Sequence, residues 1–100
     1  MVGTTTFRSK KLLDSAKGQQ CVTCGSTGTT VAAHANSVAL GKGVGIKAPD
    51  YFTVHFCLEC HALYDGRIGK LTHGEKEYMW LLAYVRTVQR WFEQEIVVVK

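Results

Sequence analysis

All four cysteines of this chain fall in two Cys-x-x-Cys pairs, Cys21 with Cys24 and Cys57 with Cys60, and His61 follows the last of them directly. Each pair can present two thiolates on one side of a tight loop. Two such loops close a tetrahedron, the coordination zinc adopts in structural sites. The expectation is a structural zinc ion on Cys21, Cys24, Cys57 and Cys60. The alternatives are a redox dithiol or inert buried thiols, and the missing thioredoxin-like βαβ pattern counts against the first. Gly25 suits the turn such a knuckle needs.

A metal staple also suits the length. One hundred residues make a single small domain, 1–100, whose core is marginal without support. The formal charge of +4 fits an anionic partner such as nucleic acid, although many proteins that bind none carry as much. The opening residues, Met1 to Thr6, lack the apolar segment of a secretory signal, and no apolar run is long enough to span a bilayer. The expected setting is the cytoplasm, away from membranes, where paired cysteines read as metal ligands before disulfides.

Residues 1–17 form a basic N-terminal arm carrying Arg8, Lys10, Lys11 and Lys17, in which residues 9–17 can make a short helix on Leu12, Leu13 and Ala16. Residues 29–35 predict a strand, with Val31 and Ala33 on one face and Thr30, Ala32 and His34 on the other. A glycine-dense loop follows at 41–45, with Lys42 inside it and Lys47 just after. Residues 52–56 predict a second strand, and a short helix starts at Cys60. Thr72-x-x-Glu75 is a capping box opening a long C-terminal helix over 72–95. Leu81, Leu82, Val85, Val88, Phe92 and Ile96 recur at helical spacing and predict its core face. Tyr78, Trp80, Tyr84 and Trp91 then offer either a dimer seam or further core, and the β-prone run 96–99 an edge strand. The fold class is α+β: a hairpin and short helix around the zinc, backed by the long helix.

Two of the four histidines point to chemistry. His55, in mid-strand, is expected to be exposed or bridging, and His73 to cap or decorate the last helix. His61 and Asp65 are four apart, so they share a helical face. They can form a surface ion pair, or hold one divalent cation with positions open for water and a phosphate oxygen. His34 reads equally as a satisfied strand histidine or as a general base. In the second role a neutral imidazole takes a proton from water, and the hydroxide attacks a phosphodiester. The glycine loop lacks the Gly-Lys-Ser/Thr ending of a nucleotide cradle. Lys42 and Lys47 suit a nucleic-acid backbone or, failing that, a solvated connector.

The order of these parts resembles a zinc-knuckle HNH (ββα-metal) endonuclease. More closely, Thr30-Val31-x-Ala33-His34, then Gly41-Lys42-Gly43-x-Gly45-x-Lys47-Ala48-Pro49-Asp50, then Cys57-x-x-Cys60-His61-x-x-x-Asp65-Gly66-Arg67, is similar to the YbcO-like family of prophage-encoded candidate nucleases, and more distantly to the phage RecA-dependent nuclease Ref. The likeness covers about residues 8–70. It implies a structural zinc on the four cysteines, His34 as general base, and His61 as ligand of a catalytic Mg²⁺ or other divalent cation. Asp50 stands where the family's middle asparagine pins the loop of the base. Two positions depart from the pattern. Asp50 is a carboxylate, which accepts hydrogen bonds but donates none. Ala33 fills the place where many HNH enzymes carry a metal-binding side chain, so the cation needs a partner besides His61: Asp65, or more weakly Asn36. The expected function is a DNA endonuclease in which Arg8, Lys10, Lys42, Lys47 and Arg67 contact the backbone, positioning DNA without reading its sequence. The alternative is a non-catalytic zinc-binding adaptor for DNA or for a recombination protein such as a recombinase filament.

Overall fold

In the computed structural model, which describes residues 7–43 and 45–100, two short strands tie the middle of the chain together. Residues 1–6 of the predicted arm and Val44 of the predicted loop lie outside the described residues. Strand β1, Val31–His34, pairs antiparallel with β2, Thr53–Phe56, so that Val31 faces Phe56 and His34 faces Thr53. The β-branched residues Val31, Thr53 and Val54 favour this pairing. Helix α1, Lys10–Asp14, precedes the strands, and its first turn is capped by Ser9, whose Oγ accepts from the Leu12 amide at 3.2 Å. Helix α2, Leu58–Tyr64, starts earlier than predicted because Cys57 itself is the N-cap, its Sγ accepting from the Cys60 amide at 3.4 Å.

Helix α3, His73–Glu93, opens on the predicted capping box. The Glu75 amide donates to Thr72 Oγ1 at 3.1 Å and the Thr72 amide to Glu75 Oε1 at 2.9 Å. Its buried side is not the predicted one. Trp80, Ala83, Thr87 and Trp91 face inward, while Leu81, Leu82, Val85 and Phe92 are exposed. Small Ala83 and Thr87 let the helix lie close on β2, and the two tryptophans close over the strand on either side of them. Tyr84 joins this face, stacking on Trp80 with centroids 5.1 Å apart and donating its hydroxyl to the Tyr51 carbonyl at 2.7 Å. Of the four aromatic residues predicted as a dimer seam or core, only Tyr78 is exposed.

The tail is not an edge strand. The amides of Ile96 and Glu95 donate back to the carbonyls of Trp91 and Phe92, and Glu95 takes the left-handed conformation, φ 57°. This is a Schellman turn without the usual glycine. No described helix is long and apolar enough to cross a membrane.

His55 is fully buried and not at the surface; it bridges α1 and α3. The two-faced reading of β2 left one side to solvent, but Ser15 at the end of α1 and Thr87, Arg90 and Trp91 of α3 enclose it. The Ser15 hydroxyl donates to the Leu12 carbonyl at 2.5 Å and accepts from Trp91 Nε1 at 2.7 Å. It therefore also accepts from His55 Nε2, 3.1 Å away. Arg90 can only donate, so His55 Nδ1, at 3.0 Å from its guanidinium, is the acceptor. The ring is thereby fixed as the neutral Nε2–H tautomer. Burial, and then the Arg90 charge, bring its pKa down to about 4.

Candidate functional site

The two knuckles converge. In the first, the Gly25 amide donates to the Cys21 carbonyl and the Cys21 amide to the Ser26 carbonyl, each at 2.9 Å, with Gly25 at φ 78° where a side chain would be strained. In the second, α2 presents Cys60 one turn after the capping Cys57. The four Sγ atoms lie within 4.8 Å of one another, Cys24 and Cys57 at 3.6 Å, and no disulfide joins them. A zinc ion bonded to thiolates at about 2.3 Å needs edges of about 3.8 Å. The cluster thus fits a metal ion such as zinc. Cys21, Cys57 and Cys60 are buried, while Cys24 is exposed. Hydrogen bonding to Ser26 holds the Cys24 thiol down at about 6, whereas burial pushes those of Cys57 and Cys60 up.

Along β1 and α2 opens a cleft of about 910 Å³. His34 enters it from the end of β1, and His61 and Asp65 from consecutive turns of α2 and its cap. Asn36, Lys42 and Lys47 also line it. Behind His34 stands Asp50, 1 % exposed. Its Oδ1 lies 2.8 Å from His34 Nε2, and its Oδ2 accepts from the Ser9 amide at 2.7 Å. A carboxylate can only accept, so His34 carries its proton on Nε2 and keeps Nδ1 as the basic nitrogen. Asp50 also donates its amide to the Phe7 carbonyl at 3.1 Å, so it ties the N-terminal arm to the strand as well as to the imidazole.

His61 Nε2 and Asp65 Oδ2 are 3.2 Å apart, and Arg67 reaches the same oxygen at 3.3 Å. His61 is half-buried and Asp65 exposed, and together they offer one nitrogen and one carboxylate to a cation. Asn36 is held at the cleft by its amide, which donates to the Tyr64 hydroxyl at 2.7 Å. Ala33, fully buried, offers nothing to a metal.

The predicted backbone contacts divide. Lys42 and Lys47 line the cleft, one on either side of the Gly43–Ile46 bridge. Arg8 is engaged by the protein: its guanidinium donates to the carbonyls of Phe7, Lys47 and Ala48 and lies 3.7 Å from Asp50. Lys10 lies outside the cleft lining and pairs with Asp14 at 2.8 Å. Arg67 is drawn to Asp65. Sequence reasoning did not single out Asp14 as a cleft residue, or Lys17 beyond its place in the basic arm, yet both line the cleft. Their approach depends on how α1 docks, which no local spacing encodes.

No family model matches the chain, and no curated protein matches it. Among solved structures, a protein of Escherichia coli K-12, substrain MG1655, named for a bacteriophage origin, is similar. The two are 24 % identical, with a TM-score of 0.63, over 84 % of this chain and 99 % of that one. At this identity the likeness speaks for the fold.

Proposed function

We propose that this chain is a metal-dependent DNA endonuclease of HNH type, built on a structural zinc held by Cys21, Cys24, Cys57 and Cys60. One observation carries the proposal: His34, oriented by a buried carboxylate, and the His61–Asp65 pair enter the same lysine-lined cleft. In this reading β1, β2 and α2 are the ββα unit. His34 Nδ1 takes a proton from water while Asp50 holds the opposite nitrogen, keeps the ring in place and balances the imidazolium that forms. Lys42 and Lys47 hold the phosphate backbone. His61 and Asp65 would hold a divalent cation, which when bound supplies charge stabilisation to the phosphate and the leaving oxygen. A prophage origin, a cytoplasmic setting and a recombinase filament as partner belong to the same proposal. They are supported by the family resemblance, and the first also by the name of the structural neighbour.

The test is incubation of the zinc-loaded protein with supercoiled plasmid and with single-stranded DNA in Mg²⁺, Mn²⁺ or Ni²⁺. Cleavage that requires the added cation is expected. A purified protein that cuts neither substrate in any of them sinks the proposal.

The buried Ala33 favours a second reading, a non-catalytic zinc adaptor that binds DNA or a recombination protein. It leaves the cation with one imidazole and one carboxylate. Metal titration separates the readings, because the adaptor keeps one tight zinc and shows no affinity for a second cation.

A further inference from the structure

Helix α3 carries a second apolar stripe, turned away from the core. Tyr78 is 70 % exposed, Leu81 50 %, Leu82 37 %, Val85 64 % and Phe92 45 %, with Val88 partly exposed among them. At about 100° of turn per residue, this stripe lies roughly 140° around the helix from the side of Trp80, Ala83, Thr87 and Trp91. Tyr78, Val85 and Phe92 recur every seventh residue, with Leu81 and Val88 between them. That is the a and d pattern of a two-heptad helical seam. No charged side chain falls within it, and Gln89 is its polar member.

Single exposed apolar residues need no explanation, but a continuous patch does. At these exposures the stripe presents roughly 600 Å² per protomer, so two copies face to face would bury at most about 1,200 Å², which reaches the lower bound for a specific dimer when the stripe is fully covered. The stripe is also nearly palindromic about Val85. Seven residues to either side stands an aromatic ring, Tyr78 or Phe92, and three to either side an aliphatic chain, Leu82 or Val88. A two-fold interface must be complementary to itself, and this pattern is. Antiparallel packing sets the helix dipoles against each other and places Tyr78 of one protomer on its partner's Phe92.

We propose that α3 is the seam of a homodimer, two copies packing antiparallel across a two-fold axis at Val85. None of the stripe residues lines the cleft, so this inference stands apart from the nuclease reading and can fail without it.

The experiment is sedimentation equilibrium of the zinc-loaded full chain over a range of concentrations, on the parent, Val85→Glu and Leu81→Glu. Both substitutions are at exposed positions, and zinc content and circular dichroism should match the parent. The parent is expected at twice the single-chain mass of 11.1 kDa. Each variant should dissociate at least about a hundredfold more readily, as expected for a central interface residue. A parent that stays at the single mass, or variants that associate as tightly as the parent, overturn the proposal. Orientation is read from disulfides: a mixture of Tyr78→Cys and Phe92→Cys should cross-link between the two variants. Cross-linking of each variant with itself instead overturns the antiparallel arrangement.

Discussion

Asp50 shows what a single buried carboxylate can organise. It orients His34, caps the start of α1 through the Ser9 amide and fixes the Phe7 backbone, with Arg8 balancing its charge. The family resemblance puts Asp50 where an asparagine usually pins the loop of the base, but it does not give its other contacts. Its partners Ser9 and Phe7 are 41 and 43 positions away, and no local spacing connects them. Asp50→Asn replaces an acceptor-only group by one whose amide must point at a donor. It should lower stability by about 2 kcal/mol, a typical loss for hydrogen bonds to a charged group, while zinc content stays at parent level. Urea unfolding of the two proteins checks this. His55 is the second such residue; the sequence leaves it either exposed or bridging, because alternation along a strand cannot say that both faces are covered. Its folded pKa of about 4 lies below the ordinary 6.5. Between these values the unfolded chain binds a proton that the folded chain does not. Stability is therefore complete above pH 6.5 and is lost as pH falls towards 4, by up to roughly 3 kcal/mol. Unfolding at neutral and acid pH should show a steeper acid loss in the parent than in His55→Gln, which does not titrate there.

At the level of elements, the strands, the capping box and the short helix beside the second knuckle were legible, because each is written in local chemistry. The core face of α3 was not. The helix has two apolar stripes, and periodicity finds both without ranking them. Fit to β2 ranks them: Ala83 and Thr87 admit the strand closely, whereas a row of leucines and valines would hold it off. The end of α3 is also decided by geometry, since Glu95 sits where glycine is usual. Glu95→Gly relieves a left-handed residue and should raise stability by about 1 kcal/mol. A thermal midpoint equal to or below that of the parent would contradict the Schellman assignment.

The whole molecule is small, with a radius of gyration of 13.1 Å, the value for a folded chain of this length. Its core gathers around the knuckles: Cys21, Cys57 and Cys60 belong to the same buried cluster as Val54, Phe56 and Trp80. A structural zinc would then hold together the loop before β1 and the turn after β2. Chelation should abolish cooperative thermal unfolding, and stoichiometric zinc should restore it. An unchanged melting curve in chelator would mean that the cysteines pack as inert thiols. The cysteine tetrad was legible because its spacing is the chemistry. The cleft was half legible: the sequence offered His34, His61 and Asp65, and only folding brings them to one opening with Lys17, Lys42 and Lys47.

The claim that this opening is catalytic is tested most directly by single-turnover DNA cleavage with the parent and with His34→Ala, both zinc-loaded and folded, in a saturating divalent cation. The account predicts cleavage by the parent and a loss of at least about a hundredfold in the variant, the contribution typical of a general base. Cleavage by His34→Ala at the parental rate would contradict it.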